Sequence, residues 1–170
     1  MYPLEHFIVA LLPVLAYVLL RDKELPSLRL VAVVFVGSQF PDLIDKPLAH
    51  QLGIVPSGRV FMHSLPIAVP FLLLVVWYGW KTDRTRLSAV FAFAHLSHLF
   101  ADNYGLLLPP NPQVSPDLLW PFVEPVRRPA VPHWAGPEGI NITLWTLFSV
   151  LVLSVVAYVM IADVRRQFAT

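Results

Sequence analysis

The sequence contains no cysteine and relatively few charged residues. Without cysteine there are no disulfides and no thiolate ligands, so a metal ion would depend on His, Asp, Glu, carbonyl oxygen or water. Charged residues make up 14% of the chain, whereas a soluble globular domain has about 25%. The net charge of +1 leaves no excess of Lys and Arg to neutralise phosphates, which argues against a nucleic-acid partner.

The N-terminal residues lack the basic region and the cleavage site of a secretory signal. We therefore expect the first apolar segment to remain as a membrane helix. Hydrophobic residues make up 56% of the chain, and no internal repeat divides it. These features predict one membrane-embedded helical domain over residues 1–170.

Five apolar stretches are long enough, or nearly so, to cross the hydrocarbon core, which takes about 20 helical residues. They cover residues 4–20, 28–44, 61–80, 87–108 and 140–162. We predict an all-α, polytopic membrane helix bundle of about five spans. Residues 109–139 contain nine prolines, which predicts a long extracytoplasmic loop, extended apart from short helical turns.

The basic residues predict the orientation of the spans. Eight of the twelve Lys and Arg residues fall on the side that the chain reaches after an odd number of crossings: Arg21, Lys23, Arg29, Lys81, Arg84, Arg86, Arg165 and Arg166. Cytoplasmic loops carry an excess of basic residues. We therefore expect a protein of the cytoplasmic membrane with its N-terminus outside and its C-terminus inside, in contact with membrane lipids.

The fourth apolar stretch contains His95, His98 and Asp102. Steps of three and four place all three side chains on one face of a helix. Ionisable residues are costly inside a membrane, which makes them candidates for a functional site. Imidazoles and carboxylates are ligands for zinc and related metals, and a metal with an open position lowers the pKa of a bound water.

The predicted topology brings more ligand-type residues to the same outer side. None of the six histidines falls in a cytoplasmic segment. The polar residues at the outer ends of the first three spans are His6, Asp42, Asp45, Arg59 and His63. We interpret the whole set as one outward-facing site. Asp42 and Asp45 could bridge metals or hold a ligand histidine, and the Arg59 guanidinium could clamp a phosphate oxygen. If the third helix already includes Arg59, then Arg59 and His63 share a helical face.

Structural alternatives remain open for several of these residues. His98 and Asp102 could make hydrogen bonds between packed helices. His95 could bond a neighbouring serine or carbonyl group, and Asp45 could form a surface pair with Lys46. Ser64 could cap the third helix, or act as a nucleophile with His63, although we rank that below a metal site. Two loop arginines, Arg127 and Arg128, could add to an anion site or meet lipid headgroups, and His133 is expected to be solvated.

The ordered motifs resemble those of the YdjM-type inner-membrane metal-dependent hydrolases. They are His6, Pro41-Asp42-Leu43-Ile44-Asp45, Arg59-x-x-x-His63-Ser64, His98-x-x-x-Asp102 and Leu119-Trp120-Pro121-Phe122. The resemblance implies a helical membrane protein, distantly similar to zinc-dependent phospholipase C and S1/P1-type nucleases. It implies five metal ligands: His6, Asp42, His63, His98 and Asp102.

The chain departs from the family pattern at Gly58, where members often have a histidine before the arginine. This departure would mean fewer metals or lower activity, unless His95 or His50 compensates.

These observations predict a membrane-embedded metal-dependent hydrolase that acts as a phosphoesterase. Its cofactor would be a divalent metal, zinc first and manganese second, and its substrate a lipid phosphate or another phosphorylated molecule. Arg59 would stabilise charge on the substrate, while Asp45 and His95 complete the predicted catalytic set. The alternatives are a non-catalytic metal-binding membrane protein and a small ion or proton transporter.

Overall fold

The computed structural model describes residues 2–107, 112–126 and 143–168, and these residues form helices and turns without strands. The helices are α1 (Pro3–Asp22), α2 (Leu28–His50), α3 (Leu65–Lys81), α4 (Thr85–Leu107) and α5 (Leu144–Phe168), with one 3₁₀ turn at Pro116–Leu119. The prediction of an all-α fold is confirmed. Each α-helix corresponds to one of the predicted apolar stretches.

Among the helix boundaries that differ from the predicted ones, two affect the candidate site. α2 continues to His50 rather than ending at residue 44, although it contains Pro41 and Pro47. A proline removes one backbone donor, but its fixed φ is compatible with a helix, so a helix supported by neighbours can continue through it. Asp42 and Asp45 therefore lie inside α2 and not at its end. α3 begins at Leu65 rather than at residue 61.

One helix of the described chain, α1, is both long and apolar enough to cross a membrane. Leu65–Lys81 and Leu144–Val159 are apolar helices of shorter length. By this criterion one span is supported, and the other four spans stay a prediction.

Successive helices run in opposite directions. Arg86 at the start of α4 forms an ion pair with Asp22 at the end of α1, and at the other end of the bundle His6 of α1 meets Asp102 of α4. Thr146 of α5 donates a hydrogen bond to Glu5 at 2.7 Å. One end of the bundle therefore holds the starts of α1, α3 and α5 and the ends of α2 and α4.

The apolar core lies between α1, α2 and α4. Its buried members are Phe7, Ala10, Leu11, Val14, Val18, Leu30, Val34, Val90 and Ala94. α2 and α4 make the most extensive helix contact in the described chain, and Gly37 permits it. A Cβ at position 37 would lie 2.8 Å from the carbonyl oxygen of Phe91 and 3.0 Å from Cβ of Ala94. This close approach brings the polar residues of α2 and α4 together.

The outer surface is rich in large apolar side chains. Leu20, Leu73 and Tyr158 are 83%, 65% and 73% exposed, whereas four histidines and Asp45 are buried inside the bundle. Extended exposed apolar surface is unusual for a soluble monomer. The distribution suits a protein whose outside faces lipid.

Part of the predicted 109–139 loop packs on the bundle. Leu118, in the 3₁₀ turn, is buried with Ala68 and Leu99, and the Asp117 carboxylate accepts a hydrogen bond from the Val126 amide at 2.9 Å. This part matches the predicted extended chain with a short helical turn. Arg127, Arg128 and His133 lie outside the described residues.

Candidate metal centre

The predicted site residues meet at the end of the bundle where α2 and α4 finish. They come from α1, α2, α4 and the segment between α2 and α3, and they are His6, Asp42, Asp45, Arg59, His63, His95, His98 and Asp102. The condition for Arg59 and His63 to share a helical face is not met, because α3 begins only at Leu65. Hydrogen bonds to α2 and α4, rather than helical spacing, hold this segment.

The carboxylate of Asp45 anchors His63. Asp45 is fully buried, and its Oδ2 lies 2.7 Å from Nδ1 of His63, while Oδ1 accepts the Met62 amide at 2.7 Å. A carboxylate acceptor places the imidazole proton on Nδ1, so the lone pair of the neutral ring is on Nε2. The suggested surface pair of Asp45 with Lys46 is wrong: Lys46 Nζ binds Asp42 instead, at 2.6 Å.

A backbone carbonyl fixes His98 in the same way. Nδ1 of His98 lies 2.6 Å from the carbonyl oxygen of Ser38, which can only accept, so Nδ1 carries the proton. Nε2 of His98 then faces Nε2 of His63 at 3.1 Å. When both rings are neutral and held this way, their two Nε2 lone pairs point at each other. A cation shared by both nitrogens, either a proton or a metal ion, removes this repulsion.

Two carboxylates lie beside these nitrogens. Oδ1 of Asp42 lies 3.6 Å from Nε2 of His63 and 3.9 Å from that of His98. Oδ2 of Asp102 lies 3.7 and 3.9 Å from the same two atoms. Ligand atoms of a tetrahedral zinc ion, with bonds of 2.0–2.1 Å, are about 3.3 Å apart. Each carboxylate therefore lies close to coordination spacing from both nitrogens.

His6 adds a third imidazole beside Asp102. Its Nε2 lies 3.3 Å from Oδ1 of Asp102, and its ring stacks on His98 with centroids 3.9 Å apart. Nδ1 of His6 is buried and has no hydrogen-bond partner among the described residues. His6, His98 and Asp102 form one group that could hold a metal ion, and Asp42, His63 and His98 form a second.

The two groups share His98, which limits how they can be filled. Because Nδ1 of His98 is bonded to the Ser38 carbonyl, only Nε2 remains for a metal. One nitrogen ligates one ion, so the two groups are alternative or merged parts of a single centre rather than two complete sites.

Two basic side chains partly balance the carboxylates. Arg59 lies 3.1 Å from both Asp102 oxygens, and Lys46 binds Asp42. With neutral imidazoles, the three carboxylates, including that of Asp45, exceed the two cations by one charge. A divalent cation is electrostatically compatible with that excess. Arg59 is 35% exposed, whereas Asp102 is 3% exposed, so the guanidinium lies at the rim of the cluster.

Comparison with known proteins now identifies the family. A family model described as YdjM inner membrane protein matches residues 1–165. The chain belongs to the YdjM inner membrane protein family. This confirms the YdjM-type resemblance seen in the motifs and supports a membrane location, whereas hydrolase activity and the distant similarity to nucleases stay predictions. Neither the curated proteins nor the solved structures give a match.

His95 contacts the segment that carries His63 in this YdjM-family protein. Its Nε2 lies 2.9 Å from the carbonyl oxygen of Met62, the residue before His63. Its ring lies among Phe40, Phe71 and Phe91 at centroid distances of 6.0, 6.3 and 6.4 Å. His95 is in neither metal group. The carbonyl bond left open in the sequence interpretation is therefore the one that forms.

Ser64 is the N-cap residue of α3, but its side chain takes neither role suggested for it. Its hydroxyl donates to the Phe61 carbonyl at 3.0 Å, and its side chain makes no capping hydrogen bond to α3. Both ring nitrogens of His63 are directed elsewhere, to Asp45 and His98. A Ser64–His63 nucleophile pair is thus absent from the described geometry.

Sequence reasoning missed the backbone part of the site. The Ser38 carbonyl and the Met62 amide carry no side-chain signal, but the four-residue spacing of Asp42 and Lys46 could have revealed their ion pair. At Gly58, an added Cβ would lie 3.1 Å from Nε2 of His50. His50 thus lies beside the position where family members often have a histidine, although it is in neither metal group.

Proposed function

We propose that this YdjM-family protein is a metal-dependent phosphoesterase embedded in the inner membrane, with its site on the extracytoplasmic side. The observation that carries the proposal is the 3.1 Å separation between Nε2 of His63 and Nε2 of His98. Both rings have their Nδ1 bound to an acceptor, and two carboxylates flank the pair. Such an arrangement is favourable when a cation is present.

The donor set fits a divalent metal with nitrogen and oxygen ligands. Four residues would hold it through the atoms already described: Asp42, His63, His98 and Asp102. His6, which the family resemblance also implies as a ligand, is placed to bind the ion or to orient Asp102. With no cysteine in the chain, zinc is the first expectation and manganese the second. A bound cation would supply Lewis-acid activation of a water molecule near neutral pH.

The surrounding residues have supporting functions in this proposal. Arg59 lies at the rim, and a guanidinium has five N–H donors, so contact with Asp102 leaves donors for the oxygens of a phosphate group. Asp45 fixes the tautomer and the orientation of His63. His95 holds the Met62 carbonyl and thereby the turn that carries His63. A phospholipid or an isoprenoid phosphate reaching the site from the outer leaflet suits this location.

The transporter alternative is less well supported. An ion pathway requires polar groups along the whole bundle. Next to the polar cluster, the space between α1, α2 and α4 is filled by the buried apolar core, including Leu11, Val34 and Ala94.

The experiment compares metal content and hydrolysis in purified protein. We expect the wild-type protein to contain about one zinc or manganese ion per chain, and to hydrolyse a phospholipid or isoprenoid phosphate in a chelator-sensitive manner. His98→Ala should lose both properties. His50→Ala is the matched control, because His50 is exposed and lies outside both metal groups.

Each outcome has a defined meaning. Chelator-insensitive hydrolysis, or full activity of His98→Ala, would contradict metal catalysis. A bound metal without hydrolysis of any tested phosphoester would favour the non-catalytic metal-binding alternative. Protein without zinc or manganese would overturn the proposed centre.

We further propose that all five α-helices span the membrane, with the N-terminus outside and the C-terminus inside. The alternating helix directions and the exposed apolar surface support this arrangement. The absence of cysteine allows single-cysteine labelling. Leu52→Cys and Val114→Cys test the site end, and Glu24→Cys and Asp83→Cys the opposite end. In intact spheroplasts, an impermeant maleimide should label only the first pair. Labelling of the second pair instead would reverse or refute the arrangement.

A further inference from the structure

A groove lies between α1 and α4 at the end of the bundle opposite the metal centre. It encloses about 640 Å³, within the range of about 300–1,000 Å³ typical of small-molecule sites. Its apolar part is lined by Pro13, Val14, Ala89, Val90 and Phe93. From Thr85 to Phe93 the groove follows α4 for about 12 Å. It is therefore elongated along the helix axis.

The mouth of the groove is polar and carries a net positive charge. Two arginines and one aspartate line it: Arg21 and Arg86 are 68% and 50% exposed, while Asp22 is 28% exposed. Arg21 is held by the Tyr17 hydroxyl and Arg86 by Asp22. Both guanidiniums are thus positioned by a neighbour, yet still accessible to an anion.

Exposed aromatic residues mark this end of the bundle as a membrane interface. Trp77, Tyr78 and Trp80 at the end of α3 are 55%, 64% and 63% exposed, and Lys81 lies over the Trp80 ring at 5.1 Å. Such aromatic residues beside basic residues are typical of the headgroup region. The groove then begins at headgroup level and extends along the acyl region of one leaflet.

We propose that this groove binds an anionic phospholipid, with an acyl chain between α1 and α4 and the phosphate on Arg21 and Arg86. The apolar lining matches a hydrocarbon chain, and the positive mouth matches a phosphate group. A soluble phosphate would leave the apolar length of the groove unused. The proposal rests on the membrane arrangement given above, but not on metal binding or hydrolysis.

The experiment measures lipid retained by the purified protein after reconstitution in vesicles of phosphatidylglycerol and phosphatidylcholine in equal amounts. Native mass spectrometry should detect one retained phosphatidylglycerol in the wild-type protein. Because each basic residue near an anionic lipid contributes roughly fivefold to affinity, R21Q/R86Q should reduce retention about 25-fold. The matched control R29Q/R84Q removes the same charge at the same end of the bundle, outside the groove lining, and should retain the lipid.

A second variant tests the apolar part independently of charge. Ala89→Trp fills the groove and should displace the lipid, whereas Leu73→Trp, on the exposed face of α3, should not. Three results would each overturn the proposal. The first is an equal loss of lipid in R21Q/R86Q and in the control R29Q/R84Q. The others are lipid retention by Ala89→Trp, and retention of phosphatidylcholine equal to that of phosphatidylglycerol. Inorganic phosphate should not compete, and competition would assign the site to a soluble anion.

The metal content of every variant separates this proposal from the proposed function. Groove variants that lose lipid should keep their metal, because the groove and the metal centre lie at opposite ends of α1 and α4. If the wild-type protein lacks metal but retains phosphatidylglycerol, the proposed function fails and the lipid site remains.

Discussion

Ionisable residues are buried at one end of the bundle and exposed at the other. At the metal centre, Asp45 and His98 are fully buried and each is bound to a defined partner. At the other end, Arg21 and Arg86 are mostly exposed and lie at a groove mouth. Burying an ionisable group requires compensating hydrogen bonds, which fix its geometry. One end therefore gains positional precision, while the other provides only positive charge at a surface.

The largest effect is expected where a buried carboxylate is neutralised. Asp45→Asn replaces an acceptor facing Nδ1 of His63 with a group that can donate, which favours the tautomer whose Nε2 carries the proton. Loss of such a partner typically lowers metal affinity by about 10–100-fold. Competition with a metal-binding dye measures this. Asp83→Asn, in the exposed turn before α4, should leave the affinity unchanged, and an unchanged affinity in Asp45→Asn would contradict the assigned geometry.

The next effect concerns the helix contact that assembles the metal centre. Gly37→Ala places a methyl group against Phe91 and Ala94, and overpacking of this kind costs about 1–3 kcal/mol. Gly105→Ala is the control, since an added Cβ there meets nothing within 4 Å, and it should be neutral or stabilising by up to about 1 kcal/mol. Denaturant unfolding in detergent measures both. Equal stabilities would show that the close α2–α4 contact is unimportant.

A smaller effect is expected from His95→Phe. The ring volume among the three phenylalanines is kept, but the Met62 carbonyl loses its donor, which costs about 1 kcal/mol of stability. We expect metal affinity to fall less than in Asp45→Asn. Metal titration and thermal unfolding of the same sample check both statements. A complete loss of metal would instead make His95 a ligand.

The smallest loss of stability is expected at the end of the bundle opposite the metal centre. Arg86→Gln removes the ion pair with Asp22, whose partners are 50% and 28% exposed. Exposed pairs contribute about 0.2–1 kcal/mol, and salt screens them. The stability difference from wild type, measured by thermal unfolding, should therefore shrink at high salt. A difference as large as that of Gly37→Ala would mean that this end is also a structured core.

Apolar stretches predicted the five helices, and the topology inferred from the basic residues predicted the gathering of ligand-type residues, because both depend on side-chain type. The faces of α4 that carry His98 and Asp102 follow directly from helical spacing. The continuation of α2 through Pro41 could not be predicted from the sequence, because a proline in a helix is tolerated only when tertiary packing supports the turn. Likewise, the sequence left Asp45 open between a surface pair with Lys46 and a carboxylate that holds a ligand histidine, since adjacency in sequence gives no information on burial.

The hydrogen bonds of the imidazoles were beyond sequence reasoning for a further reason. His98 is fixed by the Ser38 carbonyl and His95 by the Met62 carbonyl. Every residue has a carbonyl, so composition cannot indicate which one is used. Only the close α2–α4 contact and the non-helical turn before α3 bring these groups within bonding distance.

The pairing of His6 with Asp102 has a consequence for the order of folding. These residues come from the first and fourth helices, so their contact has a long loop-closure distance. During synthesis the N-terminal helices form first, and the apolar α1–α2 contacts can form before α4 exists. The polar cluster can be completed only after α4 has been synthesised, and therefore later than the apolar contacts between α1 and α2.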